Sequence, residues 1–268
     1  MMGKILMLFG LLTLYFTAPA FAATSMHQSS LDLCHTERTL ARQMWQQDLY
    51  SVSPAVSSIM IDAIDGKTVA LRKALAGMNA KDAERWRQLA MYLASFEGRA
   101  DTVDALLDDG AKADGSALNP PLKAAFYHHV VGQLTNDPQI SPKAVKWIQT
   151  AGLMNNDAHQ TGPAIYTAID CYDSATAKVL LRHGANPMHQ LRPHGADPFI
   201  AAVVNGDADI TKAMLDHGAD PCVEDHRLAY NQKEYHLPAR TISDIGLKAD
   251  LPPALIQRLA CHAPHSSS

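Results

Sequence analysis

The chain ends a helix in the same way three times. Lys178–Pro187 reads KVLLRHGANP, Lys212–Pro221 reads KAMLDHGADP and Asp104–Ala113 reads DALLDDGAKA. Each copy joins two or three apolar residues to one or two polar ones and then to Gly-Ala. That is the last turn of an amphipathic helix, stopped by a glycine able to take a left-handed backbone. Gly110, Gly184 and Gly218 are the expected stops, and Gly77 and Gly152 look like weaker ones. Successive stops lie 33, 42, 32 and 34 residues apart. A period near 33 restricts the fold to stacked helix pairs, because one pair cannot hide its apolar face alone. The fold class expected is therefore all-α, a solenoid of about five to six helix pairs with short turns between them.

A second signature stands upstream of each stop. Asp197-Pro198-Phe199-Ile200-Ala201-Ala202-Val203 precedes Gly206, Gly162–Ala168 fills the same role a repeat earlier, and Asn119–Phe126 is a third version. Here the chain resembles the ankyrin repeat, whose pattern runs Thr-Pro-Leu-His-x-Ala-Ala, then Gly, then Leu-Leu-x-x-Gly-Ala-Asp. Asp197–Pro221 matches at Pro198, Ala202, Gly206, Ile210, Leu215, His217, Gly218, Ala219 and Asp220. No copy has the leading Thr, and Ile200 and Ile165 stand where the family has His. The resemblance covers roughly residues 55–263.

Residues 1–23 are read apart from the fold. Lys4, the apolar run Ile5–Phe16 and an Ala-x-Ala ending near Ala22 describe a secretory signal peptide. As an uncleaved anchor the run is short for a span of about 20 residues. Four cysteines after an export signal point to disulfides in an oxidising compartment. Three pairings are possible. Cys222–Cys261 is preferred because both fall near turns of neighbouring repeats, which leaves Cys34–Cys171. The formal charge of −4, without a basic stripe, argues against nucleic acid as a partner.

In chain order, residues 24–54 are a polar leader and an amphipathic helix over Leu31–Tyr50, expected to cap the first repeat. The repeat domain follows over 55–263, with a tail at 264–268. Pro54–Asp65 with Lys67–Ala76 and Ala83–Phe96 with Arg99–Asp108 read as the first two pairs. The third unit, Pro121–Gly152, is longer than the others, and its excess falls on turn formers, so an extended loop is expected at about 128–142. Pro163–Cys171 with Ser174–His183 and Pro198–Asn205 with Ala208–His217 come next. A polar insertion at about 222–238 then precedes a degenerate pair, Ala239–Gly246 with Pro252–Ala260.

No nucleophile elbow, phosphate-cradling glycine loop or metal-ligand spacing stands out, so neither an enzyme nor a cofactor is expected. His183 and His217 precede helix stops, where a histidine can bond the last carbonyls. What a helix-pair stack offers is surface. By the family pattern the projecting finger residues are Asp114, Asp157, His159, His189, Arg192, His194, Glu224, Asp225 and Arg227, with Tyr166, Tyr127, His128 and His129 on the inner helices. The resemblance implies a non-enzymatic binding protein in the periplasm, or secreted, with another protein as partner. Some exported bacterial proteins of this build resemble immunity proteins that neutralise toxin effectors. The rival expectation is an accessory of oxidative-stress defence that binds haem or metal through its histidine-rich loops.

Overall fold

The computed structural model describes residues 53–114, 164–188, 197–224, 226–230 and 233–261, together with Cys34, Arg38, Thr39, Arg42 and Gln46, whose backbone is helical. The signal-peptide reading of 1–23, the extended loop at 128–142 and the tail lie outside them. The described chain is mostly helical. Its helices are α1 (Pro54–Asp65), α2 (Thr68–Ala76), α3 (Ala80–Phe96), α4 (Ala100–Asp108), α5 (Ala164–Asp170), α6 (Ser174–Arg182), α7 (Pro198–Val204), α8 (Ala208–Asp216), α9 (Ile242–Lys248) and α10 (Pro253–Leu259).

Polar residues set the helix starts. Ser53, Asn79, Asp173, Asp197 and Asp207 each turn a side-chain oxygen onto a first-turn N–H. That pairs donors the helix itself cannot satisfy. The ends are equally regular. The first helix of each pair closes on one left-handed residue: Gly66, Gly98, Tyr172, Gly206 and Asp250 in turn. The next N–H then reaches back five residues, as Lys67 does to the Asp62 carbonyl at 2.8 Å and Asp207 to that of Ala202 at 3.2 Å. The second helices α4, α6 and α8 end in the same motif at Gly110, Gly184 and Gly218, with φ of 100°, 82° and 91°. Gly77 departs from expectation, since its φ is −78°. Met78 alone separates it from Asn79, the cap of α3, so the chain passes into the next helix without a projecting turn.

First helices touch first helices in the order α1, α3, α5, α7, α9, and second helices follow suit from α2 to α10. Between the rows lie Ile59, Met60, Ile64, Leu71, Leu89, Leu106, Ile165, Ile169 and Phe199, all essentially inaccessible to solvent. Burial of apolar side chains on this scale is the main stabilising term for such a stack. The pair α5/α6 packs directly on α3/α4, although more than one expected repeat of sequence separates Asp108 from Ala164; Pro121–Gly152, read as the third unit, lies outside the described residues.

The segment read as a polar insertion contains the antiparallel strands β1 (His226–Tyr230) and β2 (Lys233–Leu237), with His226 opposite Leu237. β1 rests on α7, and Leu237 packs against the core. The last pair then begins with a short 3-10 turn, Ala239–Thr241, ahead of α9.

The described N-terminal residues reach several pairs at once. Cys34 is bonded to Cys171, with 5.6 Å between Cα atoms. Arg38 Nε donates to the Phe96 carbonyl at 2.6 Å, and Arg42 forms an ion pair with Asp65. These three residues are four apart, on one helical face. They meet the turns of α5/α6, α3/α4 and α1/α2 respectively. Cys34, Arg38 and Arg42 thus form a strap across three pairs, reaching beyond the first repeat that the N-terminal helix was expected to cap. Glu97 lies beneath it, and burial pushes its carboxyl above the ordinary range against the pull of Arg38, Arg42 and Arg99.

Candidate functional site

Three turns project from the ends of the second helices, at residues 109–114, 183–188 and 217–224. Gly184 and Gly218 are exposed, and among the described residues no heavy atom lies within 4 Å of where a Cβ would stand. The first two are also held to one another. Both carboxylate oxygens of Asp114 accept the Asn186 N–H at 3.1 Å. Asn186 in turn accepts the Met188 N–H at 2.9 Å, and Asp220 accepts that of Cys222 at 2.8 Å. Such local bonds fix turn shape before any ligand arrives. Cys222 is joined to Cys261, with 5.3 Å between Cα atoms, so the third turn is tied to the end of α10.

Charges on the second helices are arranged differently. Arg72 grips Asp109 with two hydrogen bonds of 2.7 and 2.5 Å. Asp104 takes His183 at 2.7 Å and Arg182 at 3.1 Å. Lys178 stands 4.0 Å from Asp209, and Asp216 takes Arg258 at 2.9 Å and Lys212 at 2.5 Å. Each contact except Lys212–Asp216 crosses from one pair to the next. Exposed ion pairs are individually weak, but here they run as a ladder the length of the described row. The hydrogen bond from His183, joined by Arg182, holds the Asp104 carboxyl below the ordinary carboxylate range. Lys212 foremost, with Arg258, does the same for Asp216. A carboxyl held low in the fold contributes stability above its unfolded value of about 3.9 and loses it as pH falls through the lower folded value. The urea midpoint is therefore expected to fall on acidification below about pH 4, and less steeply in Asp104→Asn. An unchanged slope in that variant would remove Asp104 from the account.

The expected site residues divide clearly. Asp114 lies at a projecting turn as read, but its carboxylate is engaged with Asn186. Glu224 is exposed on the third turn. Arg227 stands on β1, opposite His236 in the register. Tyr166 is half-buried against the core, on an α5 whose other described side chains are buried. Tyr127, His128, His129, Asp157, His159, His189, Arg192, His194 and Asp225 lie outside the described residues. Both cysteine pairings occur as preferred. His217 bonds the Ala213 carbonyl through Nδ1 at 2.8 Å, in the helix-end role expected of it, whereas His183 turns instead to Asp104 on the neighbouring helix.

His226 is the residue the sequence reading misplaced. It falls in the stretch read as a polar insertion, yet it is wholly inaccessible, as is Asp197 to within 1%. Its Nδ1 lies 3.0 Å from Asp197 Oδ2 and its Nε2 3.2 Å from the Pro221 carbonyl. The other Asp197 oxygen accepts the Phe199 N–H at 3.0 Å, capping α7. Burial alone would push His226 down, but Asp197 foremost, the Pro221 carbonyl and the charge of Asp220 reverse this and hold it above its ordinary value. With His183, His217 and His226 so engaged, their bonded nitrogens are not open for metal or haem. Among the described residues, no three His, Cys, Asp or Glu side chains are grouped to hold a metal ion. No described helix is long and apolar enough to cross a membrane, and the two disulfides suit an oxidising compartment.

Compared with known protein families and with curated proteins, the chain matches no family model and no curated sequence.

Proposed function

We propose that this chain is a non-enzymatic, ankyrin-type binding module of the periplasm that recognises another protein through its projecting turns, and that it acts as an immunity protein against a toxin effector. The observation that carries the reading is the row of turns at Gly110, Gly184 and Gly218. They share one backbone geometry, and Asp114 couples the first to the second. A surface already ordered loses little entropy on binding, which is the advantage of a stacked scaffold over a flexible loop. The disulfides support an exported location. The second helices are the weaker candidate for the contact, because their charges are engaged with one another.

Photo-crosslinking residues placed at Lys112, Asn186 or Glu224, and as controls at Val69 or Lys178, test this in the cells that make the protein. One partner captured from the turns and not from the controls is expected. That partner should bind the purified chain at fixed stoichiometry and lose its toxicity. Equal capture from both sets, or no complex between purified components, would overturn the binding edge. A bound partner without toxic activity would overturn the immunity role alone.

A further inference from the structure

A fully buried histidine with an acceptor oxygen facing each ring nitrogen has one comfortable state. Nε2 donates to the Pro221 carbonyl, and a second proton lies between Nδ1 and Asp197. Asp197 also receives a backbone N–H from Phe199, which favours its carboxylate and so the imidazolium. The neutral ring must present a bare lone pair to one of the two oxygens, in a place water does not reach. An unmatched buried contact of this kind costs far more than the same contact in solvent. The pair holds together elements distant in sequence. Asp197 belongs to the start of α7, Pro221 to the third projecting turn, and His226 opens β1. Leu237, opposite His226 in the register, is packed on the core.

We propose that the β1–β2 hairpin is a pH-governed lid over the first turn of α7, with the His226–Asp197 pair as its latch. The charged groups that face the imidazole are Asp197, from α7, and Asp220, from the turn after α8. The Phe199 ring stands beside it, 6.0 Å between centroids. Both charged neighbours are acidic, so each favours the closed, protonated form. The sign follows. A histidine held above its ordinary value contributes stability that is complete below about pH 6.5 and is lost as pH rises through the folded value. Alkalinisation frees Nε2 from Pro221, and β1 leaves α7 and the Phe199 ring. The Cys222–Cys261 disulfide limits how far the segment travels. The lid belongs to the free chain and does not depend on the partner proposed above.

Hydrogen exchange of the whole exported chain, disulfides intact and chemical rates corrected for pH, reads the lid directly. Between pH 6.0 and 8.5 or above, protection over 226–237 and 198–204 is expected to fall at least tenfold relative to that over 83–96. Parallel behaviour of the two regions would overturn the proposal. Asp197→Asn keeps a good cap for α7 but removes the charge, so its hairpin should already exchange at pH 6.0 as the parent does in alkali. Protection and pH response like the parent's would again overturn it. Should that variant fail to fold, the NMR titration of His226 in the parent decides: a midpoint above the ordinary value of about 6.5 is expected, and one at or below it refutes the latch.

Discussion

Gly206→Ala is expected to destabilise the chain by about 2–4 kcal/mol, the sum of two separable costs. Gly206 has φ of 69°, where an L-residue with a Cβ is strained. A Cβ there would also stand 2.6 Å from the Ala249 carbonyl oxygen. That oxygen is backbone, at the end of α9, and cannot rotate aside. To make room the last pair must shift from α7 and α8. Gly184→Ala is the control, because it shares the left-handed backbone and, among the described residues, has nothing near the new methyl. It should lose only about 1–2 kcal/mol. Urea midpoints at constant slope measure both. Equal losses would mean that Gly206 does not seat the last pair. The natural comparison is Tyr172, which tolerates φ of 53° at the equivalent turn and sends its hydroxyl 3.4 Å from the Asn205 carbonyl. A left-handed side chain is thus bearable where it has somewhere to go, and Gly206 offers no such space.

What the sequence revealed depended on how local the cause was. Helix ends are local. Pro54, Gly110, Gly184 and Gly218 each act within one turn, and boundaries read from them agree with the structure to a residue or two. Gly77 misled because the same residue serves in a right-handed backbone when the next helix starts at once. The order of layers was not local. The resemblance of Asn119–Phe126 to a first helix suggested an intervening pair, while the direct bonds from Asp104 to Arg182 and His183 could be seen only in three dimensions. His226 was lost for the same reason. It sits among polar residues, and nothing in its neighbours signals that Asp197, far upstream, will receive it. One clue was available: Asp197 occupies the cap before Pro198, so its carboxylate had to be near a buried helix start. The strap was half legible. Pairing Cys34 with Cys171 required the N-terminal segment to fold back, but only the contacts of Arg38 and Arg42 show that it crosses three turns.

Removing that strap is the other large effect expected. Cys34 and Cys171 close a loop spanning 137 residues, and the chain-entropy argument assigns such a crosslink about 5 kcal/mol. Measured values usually fall lower, so Cys34→Ala with Cys171→Ala should cost about 3–5 kcal/mol. Cys222→Ala with Cys261→Ala opens a shorter loop, spanning 39 residues, and should cost about 4 kcal/mol at most. The two losses differ in place as well as size. Without Cys34–Cys171, exchange should rise at the turns of α1/α2 and α3/α4, where Arg42 and Arg38 lose their anchor, while the β hairpin stays protected. Without Cys222–Cys261 the pattern should invert. Access sets the order of chemical reduction in the parent chain, since a thiolate must reach the sulfur it attacks. Cys34 and Cys171 are 5% and 7% exposed, whereas Cys222 is open to solvent. Mild dithiol treatment followed by alkylation and mass spectrometry should therefore label Cys222 and Cys261 well before Cys34 and Cys171. Simultaneous labelling of all four would mean that the strap opens as readily as the outer turn, and that it does not hold the first three pairs together.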